Sequence, residues 1–253
     1  MTAHPAATAA MLAIGDELLS GRTKDKNIGH LAELLTLAGI DLKEVRIIGD
    51  EPHFIADTLN TLRRSYDYVF TSGGIGPTHD DLTADAVAAA FGLPIGEHPD
   101  AVDILSDYYA GRGLEFTAAR RRMTRTPEGA ILIENPVSKA PGFRVDNVFV
   151  MAGVPQIFQA MLGNVMATLP AGQAIRSVAI PCPFGEGDIG DPLRSLSQSH
   201  PGVSIGSYPK FDGDSYSTEI VLRSRDDRAL DSAAAAVSAM LDDLRQARPA
   251  TAG

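Results

Sequence analysis

The sequence predicts an α/β protein: a three-layer, mostly parallel sheet followed by a small α+β domain of split-βαβ type. Three observations carry that prediction. Short apolar or β-branched runs alternate with helical patterns up to about residue 170, which implies a parallel sheet covered on both faces. The alternation breaks at Pro170, Ala171 and Gly172. Beyond the break the order becomes β-α-β-β-α, and SYSTEIVLRS (215–224) alternates as an antiparallel strand does.

The elements follow in order. AMLAIG (10–15) is a buried strand ending in glycine. NIGHLAELLTLAG (27–39) places Ile28, Leu31, Ala32, Leu35 and Ala38 at helical spacing, with Gly39 where a C-terminal cap belongs. IDLKEVRIIG (40–49) returns to strand character, and PHFIADTLNTLRR (52–64) is helical with Pro52 in the first turn. YDYVFTSG (66–73) is the third strand and ADAVAAAFG (84–92) the third helix. The stretch 99–125 reads as two helices, the second being EFTAARRRMTR (115–125). AILI (130–133) and VFVM (148–151) are strands bracketing the turn-rich NPVSKAPGF, and 153–169 is a closing helix. SVAIPC (177–182), a helix around DPLRSLSQSH, VSIGSYP (203–209), SYSTEIVLRS and an alanine-rich helix 227–247 complete the chain. The expected division is a flexible N-terminus 1–9, a nucleotide domain 10–170, a small domain 175–247 and a tail 248–253.

Bulk composition excludes several classes. The chain has 253 residues, 44% hydrophobic and 21% charged, as soluble globular proteins do. A net charge of −10 argues against a nucleic-acid binder, which needs a basic footprint, but leaves room for one small anion in a local pocket. The single cysteine, Cys182, forms no intrachain disulfide and belongs to no zinc cluster; it reads as a small buried hydrophobe. MTAHPAATAA lacks the basic region of a secretory signal, and no apolar run approaches the roughly 18 residues of a membrane span. A cytoplasmic enzyme or binding protein without a membrane partner is the expectation.

Chemistry concentrates in TSGGIGPTHDDLT (71–83), which packs three glycines, a proline and two adjacent aspartates between a strand and a helix. In open α/β sheets ligands sit outside the carboxyl ends of strands, where this loop lies. Its G-G-x-G spacing matches neither the Walker pattern nor G-x-G-x-x-G. A tight turn with Asp80 or Asp81 capping the helix is one reading. Three glycines exceed what a turn needs, however, and two carboxylates exceed what a cap needs, since Thr83 can cap the helix alone. Thr71, Ser72, Gly73, Gly74, Gly76, Pro77 and Thr78 are therefore candidate ligand contacts, through bare amides and hydroxyls. Acids beside an anion site require a cation between them, and Mg²⁺ held by few carboxylates and shared with phosphate suits that need. Strand ends supply further acids: Asp16 and Glu17 with Asn27 after the first strand, Asp50 and Glu51 after the second. In NPVSKAPGF, Ser138 and Lys139 are candidate phosphate contacts, with Pro141 and Gly142 beside them, unless the segment is simply a crossover turn.

Four ordered blocks, IGDELLSGRTKDKN, the glycine loop, PEGAILIENPVSKAPGF and VFVMAGVP, resemble the CinA (competence/damage-inducible protein A) N-terminal family of MoaB/MogA-like molybdopterin-binding fold. The β-α-β-β-α tail is similar to the small domain that follows in CinA; the deamidase domain of longer members is absent. Ser138-Lys139 stands where longer members read Gly-Thr, Ala152 where proline is common, and ARRRM (119–123) where they tend to carry Asn and Gln. The resemblance implies a nucleotide or pterin ligand carrying a phosphate or diphosphate. It implies metal-dependent cleavage of ADP-ribose or FAD-like dinucleotides, with Mg²⁺ or Co²⁺. In MogA-like relatives, which adenylylate molybdopterin, the essential acids align with Asp50 and Asp81. Asp81 and Asp50 are thus the expected catalytic residues, and Asp80, Asp81, Asp16 and Glu17 the expected metal ligands. A homodimer is implied by the family alone. A molybdopterin-binding protein or adenylyltransferase of molybdenum cofactor biosynthesis, and a non-catalytic nucleotide-binding scaffold, stand as alternative functions.

Other signals are set aside. The six histidines show no metal-ligand spacing. Arg120, Arg121, Arg122 and Arg125 read as a solvated helix face in preference to a phosphate clamp. GDIG (187–190) fits the KH-type G-x-x-G loop, but Glu186, Asp188 and Asp191 around it would repel a nucleic-acid backbone.

Overall fold

A computed structural model describes residues 6–170, 172–211 and 216–247. The chain divides into two compact units, residues 1–172 and 173–253.

The first unit is built on a six-stranded sheet in the order β2-β1-β3-β8-β7-β6. Strands β1 (Thr8–Ile14), β2 (Asp41–Ile48), β3 (Tyr68–Ser72) and β8 (Val148–Met151) run parallel. Strands β6 (Ile131–Ile133) and β7 (Gly142–Val145) add an antiparallel edge. Apolar side chains on both faces make β1 a central strand. Ala10, Leu12 and Ile14 pack on one side and Ala9 and Met11 on the other, all of them buried. The first side is covered by helices α3 (Pro52–Ser65) and α4 (Thr83–Phe91), through residues such as Ile55, Leu59 and Val87. The second is covered by α2 (Asn27–Leu37) and α7 (Pro155–Met166), through Leu31, Leu35, Phe158 and Leu162. Phe70 and Phe149 on neighbouring strands stack at 5.3 Å between centroids. With β2 on one side of β1 and β3 on the other, the winding reverses at β1. That reversal opens the crevice in which α/β sheets hold ligands.

The second unit carries β9 (Arg176–Cys182), α8 (Glu186–Ser199), β10 (Ser204–Phe211), β11 (Tyr216–Ser224) and α9 (Asp227–Ala247). β11 lies between β9 and β10 and is antiparallel to both, which is the split-βαβ arrangement. Leu230, Ala233, Val237 and Leu241 form one stripe of α9 and meet Ile220 and Leu222 of β11, with Cys182 buried among them.

The fold class is the expected one, and the differences are local. β1 begins at Thr8, inside the stretch expected to be flexible; Thr8 donates through its N–H and its hydroxyl to the Asp67 carboxylate. Residues 1–5 and the expected tail 248–253 lie outside the described residues. The helix expected over 115–125 is only α6 (Ala118–Arg121), followed by a single 3₁₀ turn, Arg122–Thr124. The chain then enters β5 (Arg125–Pro127), which pairs with β4 (Ile95–Glu97) in a two-stranded ribbon. NPVSKAPGF is turn only in part, because Gly142 and Phe143 begin β7. These short strands are made by pairing with distant segments, which leaves no periodicity in three or four residues. A four-residue α1 (Asp16–Leu19) follows β1, and α5 (Pro99–Ala110) is the helix expected there. Among the described residues no helix is long and apolar enough to cross a membrane.

Candidate functional site

The loop after β3 leaves the sheet through two residues that only glycine accommodates. Gly73 has φ +110°, and a Cβ there would lie 2.2 Å from the Ile14 carbonyl oxygen. Gly74 has φ +68°, and its Cβ would strike the Thr83 hydroxyl. This close approach seats the loop directly on the end of β1. Gly73 N–H donates to the Met151 carbonyl, and Thr83 returns two bonds, from its N–H to Gly74 O and from its hydroxyl to Gly73 O, each 3.0 Å. Thr83 therefore holds the loop and does not cap α4; Leu82 occupies the cap position without a side-chain bond.

Asp81 closes the loop. Its carboxylate accepts from Gly76 N–H at 2.6 Å, Thr78 N–H at 2.8 Å and the Thr78 hydroxyl at 2.5 Å. Asp81 thus closes the loop instead of capping α4, and a metal ion would share its Oδ1 with Gly76 N–H. Gly73, Gly76 and Thr78 consequently have no bare amides. The N–H groups of Gly74 and Ile75 have no acceptor among the described residues. Both residues line a narrow cleft with Asp81, Arg122, Pro141 and Phe143.

Four acids approach one another at the strand ends. Asp50 Oδ2 accepts from Asp16 N–H at 3.1 Å, tying the end of β2 to the end of β1. The Asp50 carboxyl is raised above the ordinary carboxylate range, first by burial and then by the negative charges of Asp16, Glu17 and Asp80. The Asp16 N–H bond opposes that rise. Three of the four expected metal ligands, Asp16, Glu17 and Asp80, therefore act on Asp50 through their charge. Among the described residues, however, no three His, Cys, Asp or Glu side chains converge as a metal cage. A divalent ion there would be held by one or two carboxylates at most and completed by water and a ligand's oxygens.

The raised Asp50 has a consequence for stability. A carboxyl whose folded pKa exceeds its unfolded value binds more protons when folded, so stability falls as pH rises from the ordinary value through the raised one. Asp50→Asn keeps an acceptor for Asp16 N–H and removes the charge. It is expected to melt above the wild type at pH 7, with the gap closing below the ordinary carboxylate range. Thermal melts across pH check this, and an equal or lower melting temperature at pH 7 contradicts it.

Asn27 is buried at the start of α2 and donates from Nδ2 to Ser72 Oγ at 2.7 Å and to the Gly153 carbonyl at 2.8 Å. The carbonyl partner accepts only, which fixes the amide's orientation. Asn27 Oδ1 and Thr71 Oγ1 are buried without partners. Asn27 thus links the ends of β3 and β8 and acts as a brace beneath the loop. In the 135–142 segment, Asn135 accepts from the N–H groups of Val137 and Ser138 and donates to Ser138 Oγ and Ala140 O. Lys139 adopts φ +64°. Ser138 and Lys139 do not line the glycine-loop cleft, whereas the neighbouring Pro141 does. Pro77 and Thr78 are exposed on the loop's outer bend, and Gly142 is buried under Val150.

Arg122 and Arg125 are the residues that sequence reasoning assigned wrongly. They do not form a solvated face with Arg120 and Arg121. Both line the cleft opposite the glycine loop, and Arg125 makes a two-pronged pair with Asp85 at 2.7 and 3.0 Å. The 3₁₀ turn that follows α6 rotates them away from the helix face, and no local periodicity announces that turn.

Fold and site define an α/β domain whose polar features gather at the carboxyl edge of its sheet, around the switch point at β1. Residues 10–171 match the family described as "Probable molybdopterin binding domain", and residues 174–247 match "FAD synthase, middle domain". The chain belongs to that molybdopterin-binding-domain family, in its CinA-like branch. A CinA-like protein of Desulfosudis oleivorans is 34% identical over 217 residues, 80% of this chain and 52% of its own. One from Myxococcus xanthus is 32% identical, over 78% of this chain and 50% of its own, so the chain spans about half the length of these two relatives. The crystal structure of CinA from Thermoplasma acidophilum superposes with a TM-score of 0.60 at 30% identity, covering 64% of this chain and 97% of that one.

Proposed function

We propose that the 71–83 loop binds the phosphate or diphosphate of a nucleotide or pterin, and that the chain is a metal-dependent pyrophosphatase of ADP-ribose- or FAD-like dinucleotides. The observation that carries this reading is that Gly74 and Ile75, whose amides have no acceptor among the described residues, line a cleft beside the end of β3. The match of 174–247 to a FAD synthase middle domain supports a dinucleotide as substrate class. In this reading Gly74 and Ile75 donate to phosphate oxygens, and Asp81 keeps the loop in the shape that presents them. Asp50 takes a proton from a water that attacks one phosphorus of the diphosphate, and the bridging P–O bond breaks to leave AMP and a sugar phosphate. A divalent ion bound by Asp16, Glu17 or Asp80 would supply neutralisation of diphosphate charge. Incubation with ADP-ribose and Mg²⁺ or Co²⁺ is expected to release AMP, and release is expected to stop in Asp50→Asn. No AMP with either ion removes the hydrolase reading.

The commitment of both Asp81 oxygens to the loop favours a second reading, in which the site binds without turning over. Molybdopterin or a nucleotide would then copurify with the protein, and mass spectrometry of the denatured supernatant identifies it. A homodimer, the family's implied assembly, belongs to either reading and is checked by light scattering.

A further inference from the structure

The four arginines of 120–125 have different fates. Arg120 lies over the Tyr109 ring at 4.3 Å, Arg121 pairs with Glu97 at 2.9 Å, and Arg125 pairs with Asp85. Arg122 alone among them is turned onto the glycine loop without a counter-charge. Its Nη2 reaches the Asp81 carbonyl only at 3.4 Å, and its Nε is buried with no partner. A guanidinium N–H buried without an acceptor is costly, and an anionic oxygen brought to the same guanidinium would offset part of that cost.

The acids of the cleft wall already have hydrogen-bond partners. Asp81 serves three loop donors and Asp85 serves Arg125. The lining groups still without a full hydrogen-bond partner among the described residues are donors: Arg122 Nε and the amides of Gly74 and Ile75. Three unpartnered donors, one of them on a cation, complement a phosphoryl group.

We propose that Arg122 is the cation of the glycine loop: it binds one phosphoryl group together with the Gly74 and Ile75 amides, so the loop holds phosphate without a divalent ion. This rests on the reading of the loop as a phosphate site and goes beyond it by dividing two tasks. Arg122 binds the anion, and any divalent ion at the Asp50 cluster serves the chemistry. The positive charge that acids beside an anion loop demand is therefore present in the chain itself, forty-one residues beyond Asp81.

Calorimetric titration of the full chain with inorganic pyrophosphate in EDTA tests the proposal. Wild type is expected to bind. Arg122→Gln is expected to lose about tenfold to a hundredfold in affinity, as removal of a charged hydrogen bond does. Arg122→Lys should fall between them, and Arg120→Gln should match the wild type. A melting temperature for each variant shows that it is folded, and Arg122→Lys carries the test if Arg122→Gln is not. Wild-type affinity in Arg122→Gln, or pyrophosphate binding that requires a divalent ion, overturns the proposal. The hydrolase reading fails separately. Anion binding in EDTA with no AMP release from ADP-ribose removes that reading and supports Arg122. AMP release by Arg122→Gln at the wild-type KM overturns the role of Arg122 and spares the hydrolase.

Discussion

Gly73→Ala is expected to lower the melting temperature by about 10 °C and to abolish anion binding at the loop. Two costs add. The residue sits at φ +110°, where an L side chain is strained by about 1–3 kcal/mol. Its Cβ would also lie 2.2 Å from Ile14 O, a backbone atom at the end of the central strand. That strand is packed on both faces and has no room to yield, so the overlap adds about 1–3 kcal/mol. A total near 4 kcal/mol corresponds to roughly 10 °C in a unit of this size. Gly92→Ala isolates the strain, because Gly92 has φ +65° with nothing within 4 Å of its Cβ position. It should cost about 1 kcal/mol and leave anion binding intact. Equal losses in the two variants by thermal melting would remove the close approach of the loop to β1 as the cause.

The second large effect concerns Asp81. Asp81→Asn retains one acceptor oxygen and replaces the other by an NH₂ group, which would face the Thr78 donors. The bend 76–78 should loosen, with amide exchange at Gly76 and Thr78 faster by at least tenfold and pyrophosphate affinity reduced in step. Loop closure makes the two effects rise together. If exchange is unchanged while ADP-ribose turnover disappears, Asp81 acts on the ligand directly, as the family resemblance implies. Hydrogen exchange read by NMR, alongside turnover, separates the two roles.

The candidate site was legible in the sequence where its parts are neighbours in the chain. The glycine loop, its place after a strand and the acids after three successive strands could be read from local order. So could the likeness to CinA, because ordered blocks of residues carry it. The role of Asp81 lay within reach, since its partners Gly76 and Thr78 are five and three residues away, yet a carboxylate beside glycines reads equally as a metal ligand. Asp50 was correctly placed near Asp16 and Glu17, but its raised proton affinity depends on burial that only packing creates.

Sequence alone determined the succession of elements, the central buried strands and the split-βαβ order of the second unit. Side-chain periodicity and turn residues are local properties that survive without the fold. Tertiary structure decided which groups remain unsatisfied. It turned the Asp81 carboxylate onto its own loop, paired Arg125 with Asp85, and brought Arg122 across from a distant turn into the cleft that Gly74 and Ile75 line. Whether a charge is free depends on what lies within hydrogen-bond reach in space, and those neighbours are some forty residues apart along the chain.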